Sequence, residues 1–350
     1  MQKIIDDTWR TEMSRIYQKY SIYHQSEGTE QTVFDGRSGR CSPRSLRLIE
    51  YLQVHAMPPR TGRLLDVGSG NGAFLREFSR SFPLWSLAGT ELTDRYRSVI
   101  EGIKGVKRLY TCPPEEVPGV FDLVTLVHVL EHIPDPCGLI SQLQDKLSPG
   151  GWLLLEVPEF LQNPFDLVVA DHCTHFTFDT LRSHVQNAGY EINCATADWI
   201  PKELTILAQK TDRICNTALD APLEDTFKPV LKSLRWLDSL REAARNMAST
   251  GFGLFGTSIA ATWLFTELGG AVEFFVDEDI NRAGKRLMGR PIYRPSQVPK
   301  GSHVLIVLPP KPGRQILARI AHSGFAFRCY GPPEMPEVSE NRSISGSSTQ

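Results

Sequence analysis

No stretch of the 350-residue chain is apolar for long enough to span a bilayer, so no helical membrane protein is expected. A basic excess is missing too. The 38 Lys and Arg against 40 Asp and Glu leave a net charge of −2, whereas surfaces built for nucleic acid usually carry a surplus of positive charge. The first residues, Met1-Gln2-Lys3-Ile4-Ile5-Asp6-Asp7, lack the apolar centre of a signal peptide, so a cytoplasmic location is expected. Seven cysteines are scattered between Cys41 and Cys329 with no C-x-x-C pair. That odd, unpaired set fits reduced thiols and gives neither a disulfide framework nor a structural zinc site. What remains is 350 residues at 41% hydrophobic content, enough for two domains with large cores.

The most informative stretch is Gly62–Leu75. Leu64, Leu65 and Val67 form a short apolar strand; Gly68, Gly70 and Gly72 follow; Ala73, Phe74, Leu75 and Phe78 then recur at helical spacing. A strand, glycine turn and helix start let a ligand approach the backbone and meet a helix N-terminus. The spacing is G-x-G-x-G rather than the G-x-G-x-x-G of a pyrophosphate turn. Asp66 ends the strand, where a carboxylate repels pyrophosphate and suits an ammonium and a sulfonium, both carried by S-adenosylmethionine. About 20 residues on, Glu91 ends the second strand, placed for ribose hydroxyls.

These residues resemble class I S-adenosylmethionine-dependent methyltransferases. Asp66–Gly72 matches the first motif and Glu91 the ribose acid. Phe121-Asp122-Leu123-Val124 matches the fourth strand, and Leu147-Ser148-Pro149-Gly150-Gly151 the turn before the fifth. The resemblance implies an α/β fold, a doubly wound seven-stranded sheet with its last strand antiparallel. It implies cofactor contacts from Asp66, Gly68, Ser69, Gly70, Gly72 and Glu91, with Cys112 after the third strand and His128 after the fourth.

The rest of the chain reads as follows. Residues 1–40 form an N-terminal helical segment, with Trp9, Ile16, Tyr17, Tyr20 and Tyr23 at helical intervals and a polar loop over 25–40. Residues 41–210 form the cofactor domain, with helices over 43–56, 94–103, 136–147 and 178–188 and an antiparallel strand pair at 191–197 and 204–209. Residues 211–248 are a linker and a long helix, with Val230, Leu231, Leu234, Leu237 and Leu240 broadly on one face. Residues 249–331 form a smaller Rossmann-like domain. Gly251–Gly256 satisfies G-x-G-x-x-G literally, but Asn246–Thr250 is a poor strand. The better register makes Phe252–Phe255 the strand, Gly256-Thr257-Ser258 the turn and Ile259–Leu268 the helix, with Asp277 ending the next strand. Residues 332–350, rich in Pro, Glu and then Ser, read as a disordered tail.

Two polar stretches fall after strands, at the ligand edge of such a sheet. His132 follows the fourth strand. Asp171, His172, Cys173 and His175 follow the fifth. No metal site is expected in the second stretch, because near-consecutive loop residues rarely converge on one ion. An acid–base role suits it better, since imidazole titrates near neutrality and a carboxylate raises its basicity. The stretch resembles the Glu-His segment of sugar C-methyltransferases, which modify nucleotide-linked ketosugars and carry a C-terminal Rossmann-like domain. Their N-terminal zinc module is absent here, and Val169 stands where they place a tyrosine. The resemblance implies His172 as base with Asp171 as its acid partner and His132 as the next candidate. His175, Gly256, Ser258 and Asp277 are the expected acceptor contacts.

The expected function is therefore methyl transfer from S-adenosylmethionine to a sugar, nucleotide-sugar or glycan-related small molecule. The alternatives are O- or N-methylation of another natural product with a C-terminal domain that forms a homodimer, a nucleotide-binding module without turnover, and a nicotinamide oxidoreductase at Gly251–Gly256.

Overall fold

A computed structural model describes residues 1–19, 32–34, 41–211 and 223–336. The chain divides into two compact units, Met1–Asp220 and Ala221–Gln350.

The first unit opens with α1 (Asp7–Lys19), then β1 (Thr32–Phe34) paired antiparallel with β2 (Cys41–Pro43), then α2 (Arg44–His55). Its main sheet contains β3 (Arg63–Val67), β4 (Ser86–Thr90), β5 (Val106–Tyr110), β6 (Phe121–Val127), β7 (Leu147–Pro158), β8 (Tyr190–Thr196) and β9 (Glu203–Lys210), in the order β5-β4-β3-β6-β7-β9-β8. Strands β3 to β7 run parallel, and β9 is antiparallel to both β7 and β8. The connecting helices are α3 (Ala73–Ser81), α4 (Arg97–Glu101), α5 (Pro136–Gln142) and α6 (Phe178–Asn187).

The near-continuous apolar strands follow from burial on both faces. Successive side chains point to opposite sides. Leu65, Val124 and Leu153 join one core with Ile140, Leu181 and Val185, while Leu64, Leu123 and Leu154 join another with Leu48, Leu52, Phe74 and Phe78. Trp85 belongs to the second core, its indole N–H donating to the Pro59 carbonyl at 2.9 Å. Strand order reverses beside β3, and the loops after β3, β4, β6 and β7 open on this edge.

The second unit begins with α7 (Leu223–Met247). A sheet follows of β10 (Phe252–Phe255), β11 (Phe274–Val276), β12 (Arg286–Leu287), β13 (Arg290–Tyr293), β14 (His303–Ile306) and β15 (Arg328–Tyr330), ordered β12-β13-β11-β10-β14-β15. All but β12 are parallel, and α8 (Ile259–Leu268) and α9 (Pro310–Ala321) connect them. Strand β10 and α8 take the register expected for Phe252–Phe255 and Ile259–Leu268, not that of a turn opening at Gly251.

Several local expectations change. Strands β1 and β2 pair where a loop was expected. Helix α4 is only five residues long, and β7 starts at Leu147, with its pairing to β6 interrupted near Phe121. The long helix belongs to the second unit and starts at Leu223, running through Pro229. Its buried face carries Val230, Trp236, Leu237, Leu240 and Ala244, while Leu231 and Leu234 are exposed. Tyr20 and Tyr23, the linker over 212–222 and residues 337–350 lie outside the described residues. Among the described residues no helix is long and apolar enough to cross a membrane.

Candidate active site

The glycine turn is built by close approach. Gly68, Gly70 and Gly72 have φ of +71°, +56° and +79°. A Cβ on Gly68 would lie 2.5 Å from Val129 Cγ2, so this turn packs directly on the loop after β6. Glu91 reaches the turn from the end of β4. Its Oε1 accepts from the Gly70 N–H at 2.5 Å and its Oε2 from the Leu92 N–H at 2.9 Å. Ser69 donates to the Asp66 carbonyl at 2.9 Å, and Gly89 is required beneath it, since a Cβ there would meet Ser69 Oγ at 2.2 Å.

Asp66 departs from expectation. It is 2% exposed, and Thr125 on β6 donates to its Oδ1 at 2.7 Å. Burial pushes its carboxyl up to about 7, although the Thr125 and Ser69 hydrogen bonds oppose this. It braces the turn from below rather than lining its mouth. Cys112 is partly buried against the core of this unit, in the turn after β5. The turn fits an adenosine-bearing cofactor: backbone N–H groups and a ribose-type carboxylate converge on residues with no side chain to fill the space.

The loop after β6 carries His128, Glu131 and His132. His128 takes a left-handed φ of +56°, a conformation that costs energy in a non-glycine residue. It does not stand alone as a cofactor contact. Arg44 Nη1 lies 2.6 Å from its Nε2, and Glu131 Oε1 lies 3.1 Å from its Nδ1. Burial and the Arg44 charge work against a charged imidazole, but Glu203, Glu131 and Glu156 outweigh them and push His128 up to about 10. Glu156 at the end of β7 and Glu203 at the start of β9 complete this network, and Arg44 Nη2 donates to Glu203 Oε1 at 2.9 Å. Burial pushes Glu203 up to about 7 against the pull of His128 and Arg44. Arg44, Glu156 and Glu203 escaped the sequence reading. Each is an isolated polar residue there, and only its place at a strand or helix end hints at a role.

The loop after β7 is pinned to the loop after β6. The Glu131 carbonyl accepts from the N–H groups of Cys173 at 2.8 Å and Thr174 at 3.0 Å. The N-terminal segment adds a further strand-like contact, with Lys3 N–H donating to the Cys173 carbonyl at 2.8 Å. His132 and His172 thereby meet edge to face, ring centres 4.7 Å apart.

The acid partners differ from those expected. Asp171 does not orient His172; its Oδ2 lies 3.3 Å from His132 Nδ1, and its carbonyl 3.1 Å from the same atom. Adjacent residues point their side chains apart, so the partner of His172 comes from six positions upstream. Asp166 Oδ1 lies 2.5 Å from His172 Nδ1, and its Oδ2 lies 2.5 Å from His175 Nδ1. Asp166 is 2% exposed. Burial opposes its charge, but the two imidazoles outweigh that and hold it down to about 2. His132 is raised above its ordinary value, since Asp171 and Glu131 outweigh its burial. His175 is 1% exposed and lowered by burial, so it supports Asp166 from inside and is not an acceptor contact on the surface.

In the second unit, Gly256 has φ of +110° and Ser258 is exposed at the start of α8. Asp277 at the end of β11 accepts from the Thr257 hydroxyl, and Arg282 donates to the same hydroxyl at 2.8 Å. Arg282 Nη1 also lies 3.8 Å from Asp277 Oδ2. Gly256 and Asp277 thus share one strand edge, but Asp277 is already engaged by its own unit.

Residues 37–195 match a family model described as a methyltransferase domain. Curated relatives include the ubiquinone biosynthesis O-methyltransferases of Bordetella avium, 29% identical over 113 residues, and of Xanthomonas axonopodis pv. citri, 29% identical over 177 residues. These alignments cover 30% and 45% of this chain and 46% and 70% of the relatives. The chain spans about half the length of most of the curated relatives it matches most strongly. Among solved structures, the Burkholderia thailandensis 1,6-didemethyltoxoflavin-N1-methyltransferase with bound S-adenosylhomocysteine is similar at 18% identity and a TM-score of 0.44, over 61% of this chain and 94% of that one. Within the first unit, residues 37–195 carry a methyltransferase domain, and S-adenosylmethionine is the cofactor of such a domain.

Proposed function

We propose that this chain transfers a methyl group from S-adenosylmethionine to a sugar, nucleotide-sugar or glycan-related small molecule. One observation carries the reading. A glycine turn with its ribose-type acid packs, through Gly68 and Val129, on the loop that leads to two carboxylate-backed imidazoles.

When bound, the cofactor supplies a sulfonium methyl for direct displacement, with sulfur keeping the bonding pair. Gly68, Ser69, Gly70 and Gly72 cradle it, with Cys112 and His128 flanking. Glu91 exchanges its Gly70 N–H for the ribose hydroxyls, and Asp66 fixes the turn from beneath. The chain then aligns the acceptor and receives its proton. His172 takes that proton, with Asp166 rather than Asp171 orienting the ring and balancing its charge; His132 stands beside it. For a nucleotide-linked acceptor, Gly256 and Ser258 of the second unit hold part of the molecule, with Asp277 ordering that turn through the Thr257 hydroxyl.

The test is methyl transfer by the full chain, read as S-adenosylhomocysteine released with nucleotide-sugars against phenols and amines. His172→Ala should cut turnover by roughly a hundredfold or more with cofactor affinity unchanged. Glu91→Ala should weaken cofactor binding by about one to two orders of magnitude, read by calorimetry. Turnover of His172→Gln close to that of the native chain rules out the proton role.

A second reading is O-methylation of another small molecule, with the C-terminal unit forming a homodimer. The names of the curated relatives favour the chemistry. The exposed Phe227, Leu231 and Leu234 on α7 favour the dimer. Turnover of phenols alone would select it.

A further inference from the structure

The loops after β6 and β7 bring together three side chains, the neighbours Glu131 and His132 from one and the distant His172 from the other. One donor atom from each lies within 4.8 Å of the other two. The hydrogen bonds decide which atoms are available. His132 Nδ1 is engaged by Asp171 and His172 Nδ1 by Asp166, which leaves Nε2 on both rings. Glu131 is 1% exposed; its Oε1 faces His128, while its Oε2 is buried with no hydrogen-bond partner. An unpartnered carboxylate oxygen inside a protein is costly unless something positive reaches it.

We propose that Glu131 Oε2, His132 Nε2 and His172 Nε2 form a site for a divalent first-row transition-metal cation. Two imidazoles and one carboxylate on one side of an ion leave its remaining positions open. Each histidine is held through its other nitrogen, His172 by the Asp166 carboxylate and His132 by the Asp171 carbonyl with the Asp171 carboxylate 3.3 Å away, the arrangement that fixes a ligating imidazole and raises its basicity. Ligand distances of about 2.0–2.2 Å require donors that now lie within 4.8 Å of one another to close in around the ion. Asp166 and Asp171 are the outer partners. The open positions face the acceptor, so oxygen atoms of a hydroxyl- or carbonyl-bearing acceptor would complete the coordination.

This inference rests on the site of the preceding reading and changes how that site manages the acceptor's proton. With Nε2 of His172 on the cation, the acceptor oxygen loses its proton to solvent, because binding to a cation lowers the pKa of that hydroxyl. Without the cation, the imidazole takes the proton itself.

The experiment uses the full chain stripped with a chelator and titrated with Mn²⁺ or Co²⁺ alone, by calorimetry and by the visible absorption of Co²⁺. One ion should bind per chain. His132→Ala and His172→Ala should each weaken binding by about a hundredfold or more, and Asp166→Asn by about 10–100-fold. His322→Ala, exposed in the second unit, should change nothing. Circular dichroism of each variant confirms that it folds. No binding by the native chain overturns the site, as does native-like binding in all three altered chains. Methyl transfer that is indifferent to the chelator, with no ion bound, removes the cation and leaves the methyl-transfer reading. Stoichiometric binding without turnover of any acceptor upholds the cation and removes that reading.

Discussion

Asp66 and Asp166 make a controlled comparison. Both belong to the first unit, both are 2% exposed, and both lie at the ligand edge of the same sheet. Yet one carboxyl is pushed up to about 7 and the other held down to about 2. Burial acts the same way on each. Asp66 has hydroxyls for partners and Asp166 has two imidazoles. Hydroxyl dipoles do not repay the loss of water around a charge, whereas groups that can carry positive charge do. The glycine turn therefore rests on a carboxyl near its neutral form, and the histidine loop on a permanently charged one.

The largest test of that contrast is Asp66→Asn across pH. A raised folded-state value means that the native chain holds this proton more tightly than the unfolded one. The stability it contributes is fully present below roughly pH 4 and is lost as pH rises through about 7. A shift of about three units corresponds to something on the order of 4 kcal/mol. Urea unfolding of the first unit should thus favour the variant increasingly from roughly pH 4 to pH 8, by up to about that amount. A parallel pH profile in both proteins would remove Asp66 from the account.

Asp166→Asn comes next. Its amide group turns a donor toward one of two imidazole N–H groups, leaving a buried donor facing a donor. A loss of about 3 kcal/mol is expected at neutral pH, read from the same unfolding transition. A loss below about 1 kcal/mol would mean that the two histidines find other acceptors. Smallest is Thr125→Val, which removes the one side-chain donor found on Asp66 Oδ1. It should cost about 1 kcal/mol where the carboxyl is neutral and about twice that where it is charged. Equal costs on both sides of its titration would show that Thr125 does not sense the charge.

How much was legible depended on sequence distance. The strand, turn and helix at Arg63–Ser81 and their counterpart at Phe252–Leu268 announce themselves through apolar period and glycine placement, which are local. The Glu91 position was readable because one βα unit fixes the spacing to the turn. Asp166 was not, since its link to His172 runs through a short 3₁₀ turn over Pro164–Val168 that reorients its side chain. Arg44 and Glu203 are 159 residues apart and become partners only through sheet order. The long helix was misread on one face for a similar reason, as Trp236 rather than Leu234 meets the core.

By itself, then, the sequence determined the α/β character of the two units, the placement of the strand, turn and helix at Arg63–Ser81 and Phe252–Leu268, and the glycine turn with its acid, because each is written in periodicity and spacing along a few tens of residues. Which histidine meets which carboxylate, that Asp66 lies beneath the turn, and that Glu131, His132 and His172 share one point in space were decided by tertiary structure. Those pairings depend on the order of β6, β7 and β9 and on the backbone hydrogen bonds that pin two loops together, and no local propensity encodes them.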